Sequence, residues 1–569
     1  MTTNRSPLDA ASAAWTKEPV PPGRALHVHG AGRVLIVGTW AHAVPAAREL
    51  ADGNAVTILS ADGPGDRIDD PVEASVRVVV GRPERVAGHV GAWIVTLRDS
   101  DEQLEADAVL DLTRGPPPLQ AHELRRGYVR CDPRNPRALQ AGLQVIAECR
   151  GDLEYPLFVD VRSEHCAHSR SQILGCTRCL DLCPPGAIAP AGDHVALDPL
   201  VCAGCGLCVG ACPTGALRYD LPAEDASLRR LRAALRAWHE HSGHAPILLL
   251  HGDEFGADLI EAAREQAGHD LSCLLPLSLG VVSQAGAELM TMALAWGASH
   301  VVCLSNPARP DTLRPIDDQM AVVNAITEAL GFGARAVHSA TADPDTLLAL
   351  LQSLESGTDW PAAEFLALGE RRAGALQAVR HLHAHAKVAA DPIILPKGAA
   401  FGAVEVDPDA CTLCLACVGA CPTGALQDDP DTPRLGFQED ACVQCGVCRA
   451  TCPEDAITLQ PRLRPGLGPG AGRTLHEEQP FACVSCGKPF GVRRSIERTL
   501  ERLAGHPMLA MDARLEQRVK MCADCRVIDQ FREPLATGEK ARPRVRTTDD
   551  YRSGSGEKPG GKGFGGGRK

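Results

Sequence analysis

The sequence predicts a multidomain chain of α/β plus α+β class: two α/β domains on parallel sheets, two cysteine-rich modules and one small four-cysteine module. Three observations carry that prediction. Apolar strand-length runs alternate with helical stretches in two separate regions, the pattern of a parallel sheet covered on both faces. Sixteen of the 24 cysteines gather in or beside two runs spaced as C-x2-C-x2-C-x3-C. Four more form two C-x2-C knuckles toward the C-terminal end. A length of 569 residues with 44% hydrophobic content allows several cores, and only 4% aromatic content suits segments organised by metal more than by apolar packing.

Residues 1–25 show no apolar periodicity and are expected to be disordered, with no signal-type apolar segment and no twin-arginine pair. Residues 26–155 open as a strand (Val34 to Val37), a helix (Ala43 to Leu50) and a strand (Ala55 to Leu59), with a further buried strand at Ala108 to Leu112. This is the start of a dinucleotide-binding unit without its glycines. Gly38 is followed by Thr39, Trp40 and Ala41, whose side chains block the close backbone approach that a pyrophosphate needs. The region reads as a scaffold that kept the fold and lost the cofactor, with flavin or nicotinamide binding as the competing reading.

The cysteine modules at 156–220 and 391–462 are clearest when the second is taken first. Cys411, Cys414, Cys417 and Cys421, then Cys442, Cys445, Cys448 and Cys452, spell C-x2-C-x2-C-x3-C-P twice. This closely resembles a bacterial two-cluster, 2[4Fe-4S] ferredoxin, in which three thiolates of one run wrap a cluster and the fourth ligates its neighbour. That rule assigns Cys411, Cys414, Cys417 and Cys452 to one 4Fe-4S cluster, and Cys442, Cys445, Cys448 and Cys421 to the other. A pair of structural zinc sites is the competing reading. In the earlier module Cys202, Cys205, Cys208 and Cys212 are complete, but the preceding half keeps only Cys176, Cys179 and Cys183, with Ile173 in the first position. The same rule gives Cys202, Cys205, Cys208 and Cys183 one 4Fe-4S cluster and leaves Cys176, Cys179 and Cys212 short of a ligand. Cys166, in S-E-H-C-A-H-S-R, is the candidate donor; a three-iron site, or His165 or His168 as ligand, stays open. Apolar neighbours such as Leu180, Val209, Leu413 and Val447 are expected to shield the clusters, and an acidic surrounding predicts low potentials.

Between the modules, residues 221–390 predict strands at Ile247 to Leu250, Leu271 to Leu277 and His300 to Leu304, with helices at Ala257 to Gln266, Glu288 to Trp296 and Asp317 to Leu330. The order of strand, G-V-V-S, helix and A-W-G-A-S-H-V-V-C-L resembles the delta subunit of methyl-viologen-reducing hydrogenases. Cys273 and Cys303 do not reproduce that subunit's paired cysteines and, like Cys131 and Cys149, read as buried apolar thiols. His381, His383 and His385 read as a solvated helical face.

Residues 463–475 are expected to be a linker, and 476–535 a four-cysteine zinc module of ribbon or treble-clef type, holding the metal through Cys483, Cys486, Cys522 and Cys525 around a helix at Ser495 to Leu503. A fifth iron–sulfur cluster is the alternative there. Residues 536–569 read as a disordered, basic, glycine-rich tail.

A net charge of −13 disfavours nucleic acid, no span is apolar enough for membrane insertion, and reduced, metal-spaced cysteines suit the cytoplasm. No catalytic signature appears, so a non-catalytic carrier or accessory subunit is expected. Taken in order, with C-A-H-S-R and G-C-T-R-C as its most specific part, the chain from about 26 to 530 resembles large cytoplasmic 4Fe-4S proteins of proteobacteria associated with formate dehydrogenase. The resemblance implies four 4Fe-4S clusters and one zinc. It also implies a partner, formate dehydrogenase, served by electron transfer or maturation; a flavin-dependent oxidoreductase subunit is a further alternative.

Overall fold

The computed structural model describes residues 6–63, 76–98, 100, 102–267, 271–366, 371–429, 432–504 and 513–532. It divides into two compact units, 1–477 and 478–569. The predicted C-terminal tail lies outside the described residues.

The first sheet of the larger unit holds five parallel strands in the order Arg77–Val80, Ala55–Ser60, Arg33–Val37, Ala108–Asp111, Tyr128–Arg130. Helices Trp40–Leu50 and Pro136–Ala147 cover one face through Ala43, Leu50, Leu143 and Ile146. The other face carries an antiparallel meander of Pro83–His89, Ala92–Leu97 and Gln103–Ala106, whose Trp93, Val95 and Leu104 pack on Leu35, Leu59 and Val109. Because both faces are buried, Leu35, Ile36, Ile58 and Leu110 are apolar in succession instead of alternating with polar residues.

The second parallel sheet runs Leu274–Ser278, Ile247–His251, His300–Leu304, Ala336–Ser339. Helices Ala257–Ala267 and Pro344–Ser353 supply the core of one face. Glu224–His241, Ala287–Ala295, Leu313–Ala329 and Arg371–Ala384 supply the other. That second core also takes in Phe401, Leu395 and Leu463 of the later cysteine module, so this α/β region is the hub on which the module is built. No helix among the described residues is long and apolar enough to cross a membrane.

Two expected irregular segments are ordered elements. Within 1–25, Pro7–Lys17 is helical: Ser6 caps it by accepting from the Asp9 N–H at 3.1 Å, Pro7 occupies the first turn, and Ala10 and Ala11 are buried. Its Trp15 ring lies 4.0 Å beneath the Arg230 guanidinium. The expected linker at 463–475 enters strand Gly472–Glu477, which pairs antiparallel with Arg434–Gln438. The glycine- and proline-rich stretch before it thus connects strand Ile457–Leu463 of one small sheet to a strand of another.

Candidate metal centres

Each C-x2-C-x2-C run is bent by backbone in the left-handed region. Gly204 and Gly206 in the 202 run, Leu413 and Leu415 in the 411 run, and Gln444 and Gly446 in the 442 run all have positive φ, at 69°, 78°, 50°, 58°, 55° and 86°. Each run therefore curls, with backbone N–H groups aimed at its thiols: Gly204 at Cys202, Leu207 at Cys205, Gln444 at Cys442 and Val447 at Cys445. A five-residue helix follows, Leu207–Ala211, Ala416–Ala420 or Val447–Thr451, and ends at Cys212, Cys421 or Cys452 in extended backbone, as the next proline requires.

The incomplete run is built differently. Ser169–Arg170 and Ile173–Leu174 form a hairpin whose two turn residues, Ser171 and Gln172, both have positive φ, 51° and 68°. The hairpin carries the chain back on itself, so that Cys176 N–H donates to Ala167 O at 2.9 Å and Gly175 N–H to His168 O at 2.7 Å. Cys166 is thereby returned beside Cys176, whose own helix, Arg178–Leu182, leads to Cys183. The ring of His168 is buried and its Nδ1 lies 3.0 Å from Cys176 O, so it props the loop.

The thiols sense one another in sets. Burial raises the Cys179 pKa to about 12, with Cys212, Cys176 and Cys166 adding to the rise. Burial likewise lifts Cys202 to about 11, beside Cys205 and Cys183, and Cys417 to about 12, beside Cys411, Cys414 and Cys452. Burial raises Cys448 too, beside Cys445, Cys442 and Cys421. The sets pair each run with the distant fourth cysteine of its neighbour. Closely held thiols that oppose one another's ionisation are the groups that a cationic iron core relieves, so they fit a 4Fe-4S cluster. Sulfur-directed hydrogen bonds recur in both modules, from Ala187 N–H to Cys183 Sγ at 3.2 Å and from Ala456 N–H to Cys452 Sγ at 3.4 Å. Of the sixteen thiols, only Cys414 is exposed.

Residues 173–216 and 410–457 each match a family of 4Fe-4S dicluster domains. These are two ferredoxin domains. They give the chain iron–sulfur clusters and an electron-transfer role. No curated protein matches the chain. The crystal structure of the oxidoreductase from Agrobacterium tumefaciens aligns with 18% of this chain and 42% of its own length, at 19% identity and a TM-score of 0.13. The chain thus spans less than half of that protein, and the likeness carries no argument.

In the smaller unit, hairpin Pro480–Ala482 and Pro489–Val492 presents Cys483 and Cys486, and helix Ala523–Arg532 presents Cys525 with Cys522 just before it. Their sulfur atoms all lie within 4.8 Å of one another, and those of Cys486 and Cys522 are 3.7 Å apart. Burial works against the Cys483 thiolate, but N–H groups of Cys522, Cys486 and Ser485 outweigh it and bring its pKa down to about 6.

The dinucleotide-like opening does not fit a phosphate. A Cβ on Gly38 would stand 3.0 Å from Leu112 Cβ, so this glycine serves the close approach of two neighbouring strand ends. The helix N-terminus is occupied by the chain's own carboxylate: Asp62 accepts from the Trp40 N–H at 3.0 Å and from the Ser60 hydroxyl. These bonds, led by that from Ser60, hold the Asp62 pKa below the carboxylate range. Cys303 and Cys149 are buried, whereas Cys131 and Cys273 are partly exposed because each lies at the end of a strand, not within one. His381 is engaged with Pro361 O at 2.7 Å, and His385 Nδ1 with His381 O at 2.9 Å.

Proposed function

We propose that the chain carries four 4Fe-4S clusters and relays low-potential electrons for a redox enzyme of the cytoplasm. The ligand sets are Cys166, Cys176, Cys179 and Cys212; Cys202, Cys205, Cys208 and Cys183; Cys411, Cys414, Cys417 and Cys452; and Cys442, Cys445, Cys448 and Cys421. The return of Cys166 to Cys176, Cys179 and Cys212 by the Ser171–Gln172 hairpin carries this reading, since it restores a fourth thiolate to the one incomplete set. A single zinc at Cys483, Cys486, Cys522 and Cys525 is favoured over a fifth cluster. Tetrahedral Zn–S bonds of about 2.3 Å imply sulfur separations near ~3.8 Å, and the observed spread reaches only 4.8 Å. A four-iron core would hold its thiolates farther apart.

The partner follows from the family resemblance, which points to a formate dehydrogenase. A maturation role for the same enzyme is the second reading, favoured by the amount of chain given to scaffold. Anaerobic metal analysis should return roughly 16 Fe and one Zn per chain. Cys166→Ser should lower the iron count or yield a three-iron EPR signal; an unchanged count and spectrum would remove Cys166 from the ligands. Anaerobic pull-down from the native host should recover a formate dehydrogenase, and clusters in that complex that never turn over with formate would mark maturation instead.

A further inference from the structure

The ferredoxin domains, matched at 173–216 and 410–457, are separated by the entire α/β hub, yet their inner faces meet. Gly175, which precedes Cys176, is pressed so closely on the second domain that a Cβ there would stand 2.2 Å from Val447 Cγ2. Strand Ile173–Leu174 lies against helix Val447–Thr451, which carries Cys448. The replacement of a first cysteine by Ile173 therefore coincides with the edge where the other domain docks.

Two consecutive arginines, Arg371 buried and Arg372 half-buried, grip both sides. Arg371 donates to Val209 O at 3.0 Å and Cys212 O at 2.8 Å in the first domain, while pairing with Glu224 at 3.4 Å. Arg372 donates to Asp440 O at 2.8 Å and Cys442 O at 2.6 Å in the second, with its guanidinium 4.3 Å over the Phe401 ring. Arg178 of the first domain reaches Ala399 O at 3.2 Å.

We propose that the two ferredoxin domains form one continuous four-centre relay whose middle junction is the edge where Gly175 closes against Val447, held by Arg371 and Arg372 as positioning residues. This rests on the ligand sets proposed above. The order runs from the Cys202 set to the Cys176 set, then to the Cys445 set and the Cys411 set, where exposed Cys414 offers a surface terminus. A bound 4Fe-4S cluster takes up and releases one electron, so passage across the junction oxidises one centre as it reduces the next, with no bond made or broken and no proton moved. A low-potential one-electron donor supplies the electron, and a one-electron acceptor removes it.

The test uses the full chain in two fourfold variants. Cys202→Ala, Cys205→Ala, Cys411→Ala and Cys414→Ala keep the inner pair of sites; Cys176→Ala, Cys179→Ala, Cys442→Ala and Cys445→Ala keep the outer pair. Both are loaded anaerobically, assayed for iron and reduced with dithionite for EPR. At about 8 Fe per chain, the inner-pair variant should show a broadened or split signal and electron-spin relaxation at least tenfold faster than the outer-pair variant, which should give two isolated signals. Two isolated signals from a fully loaded inner pair would overturn the junction while leaving the clusters in place. Iron far below about 16 per wild-type chain would overturn the ligand sets and the junction together. Arg371→Met with Arg372→Met in the chain retaining all sixteen cysteines gives an independent readout: wild-type iron with slowed relaxation supports the junction, and wild-type iron with unchanged relaxation removes these arginines from it.

Discussion

At the scale of single residues, the most consequential side chain is Arg372. It is half-buried, its donors are spent on backbone carbonyls, and desolvation lowers its pKa to about 10, with Cys442 the largest opposing influence. Among the described residues no carboxylate lies within ion-pair distance of it, and the negative groups acting on it are Cys442 first, then Glu288 and Asp440. A unit charge some ~8 Å away at an effective permittivity of ~20 is worth roughly 2 kcal/mol, on the order of 90 mV for one electron. Arg372→Gln should therefore lower the potential of the centre held by Cys442 by up to that amount, measured by EPR-monitored redox titration; an unchanged or raised potential would refute the assignment. His300 gives a second residue-scale prediction. Burial, with help from Arg335, lowers its pKa to about 4, and its Nδ1 has no hydrogen-bond partner. A folded-state pKa below the unfolded value of ~6.5 means that stability is complete above that pH and is lost as pH falls toward 4. Between pH 7.5 and 5.5 the wild type should lose roughly 1 kcal/mol that His300→Leu keeps, read from denaturant midpoints at the two pH values.

At the scale of elements, the Ser169 to Leu174 hairpin decides whether Cys166 can serve. Its turn needs positive φ at Ser171 and Gln172, which proline cannot adopt and glycine adopts freely. Gln172→Pro should release about 4 Fe per chain although every cysteine remains, whereas Gln172→Gly should keep full iron. The elements were legible in proportion to how local their signal is. Strand His300–Leu304 and helix Ala257–Ala267 stand within a residue of where apolar runs and periodicity place them. The cysteine spacings likewise specified both ferredoxin domains. The meander at 83–106 and strand Gly472–Glu477 were not legible, because they are held by pairing with strands distant in sequence. Helix Pro7–Lys17 did have a readable start in Ser6, Pro7 and Asp9, but its amphipathic face is short and made of alanine. Cys166 could be suspected from spacing alone, whereas the hairpin that delivers it could not, since Ser-Gln is a poor turn pair by composition.

At the scale of the whole molecule, the chain is organised around its second α/β region. The loop after strand Leu274–Ser278 sits on the first ferredoxin domain, where the Ser283 hydroxyl donates to Cys205 O and a Cβ on Gly210 would stand 2.6 Å from Ser283 O. The same core, which includes Leu279 and Ala285 of that loop, also takes in Ile393, Leu395, Phe401 and Leu463 on either side of the second ferredoxin domain. The smaller unit is a compact body of its own, whose buried apolar residues, among those described, are Val492, Ile496 and two of its cysteines. A zinc chelator should therefore remove one metal and the helical signal of Arg493–Leu503 and Ala523–Arg532, while visible absorption from the clusters stays unchanged. Loss of visible colour in step with zinc would contradict that separation.

The close approach of Gly175 to Val447 also bears on how the protein comes into being. The first ferredoxin domain is complete by strand Leu217–Tyr219, but Val447 leaves the ribosome only after the hub has been translated. Until then the edge around Ile173 and Leu174 lacks the helix Val447–Thr451 that packs on it. A premature stop codon before Val447 would leave the same half-finished object permanently: a carrier able to accept an electron, with no onward neighbour to receive it.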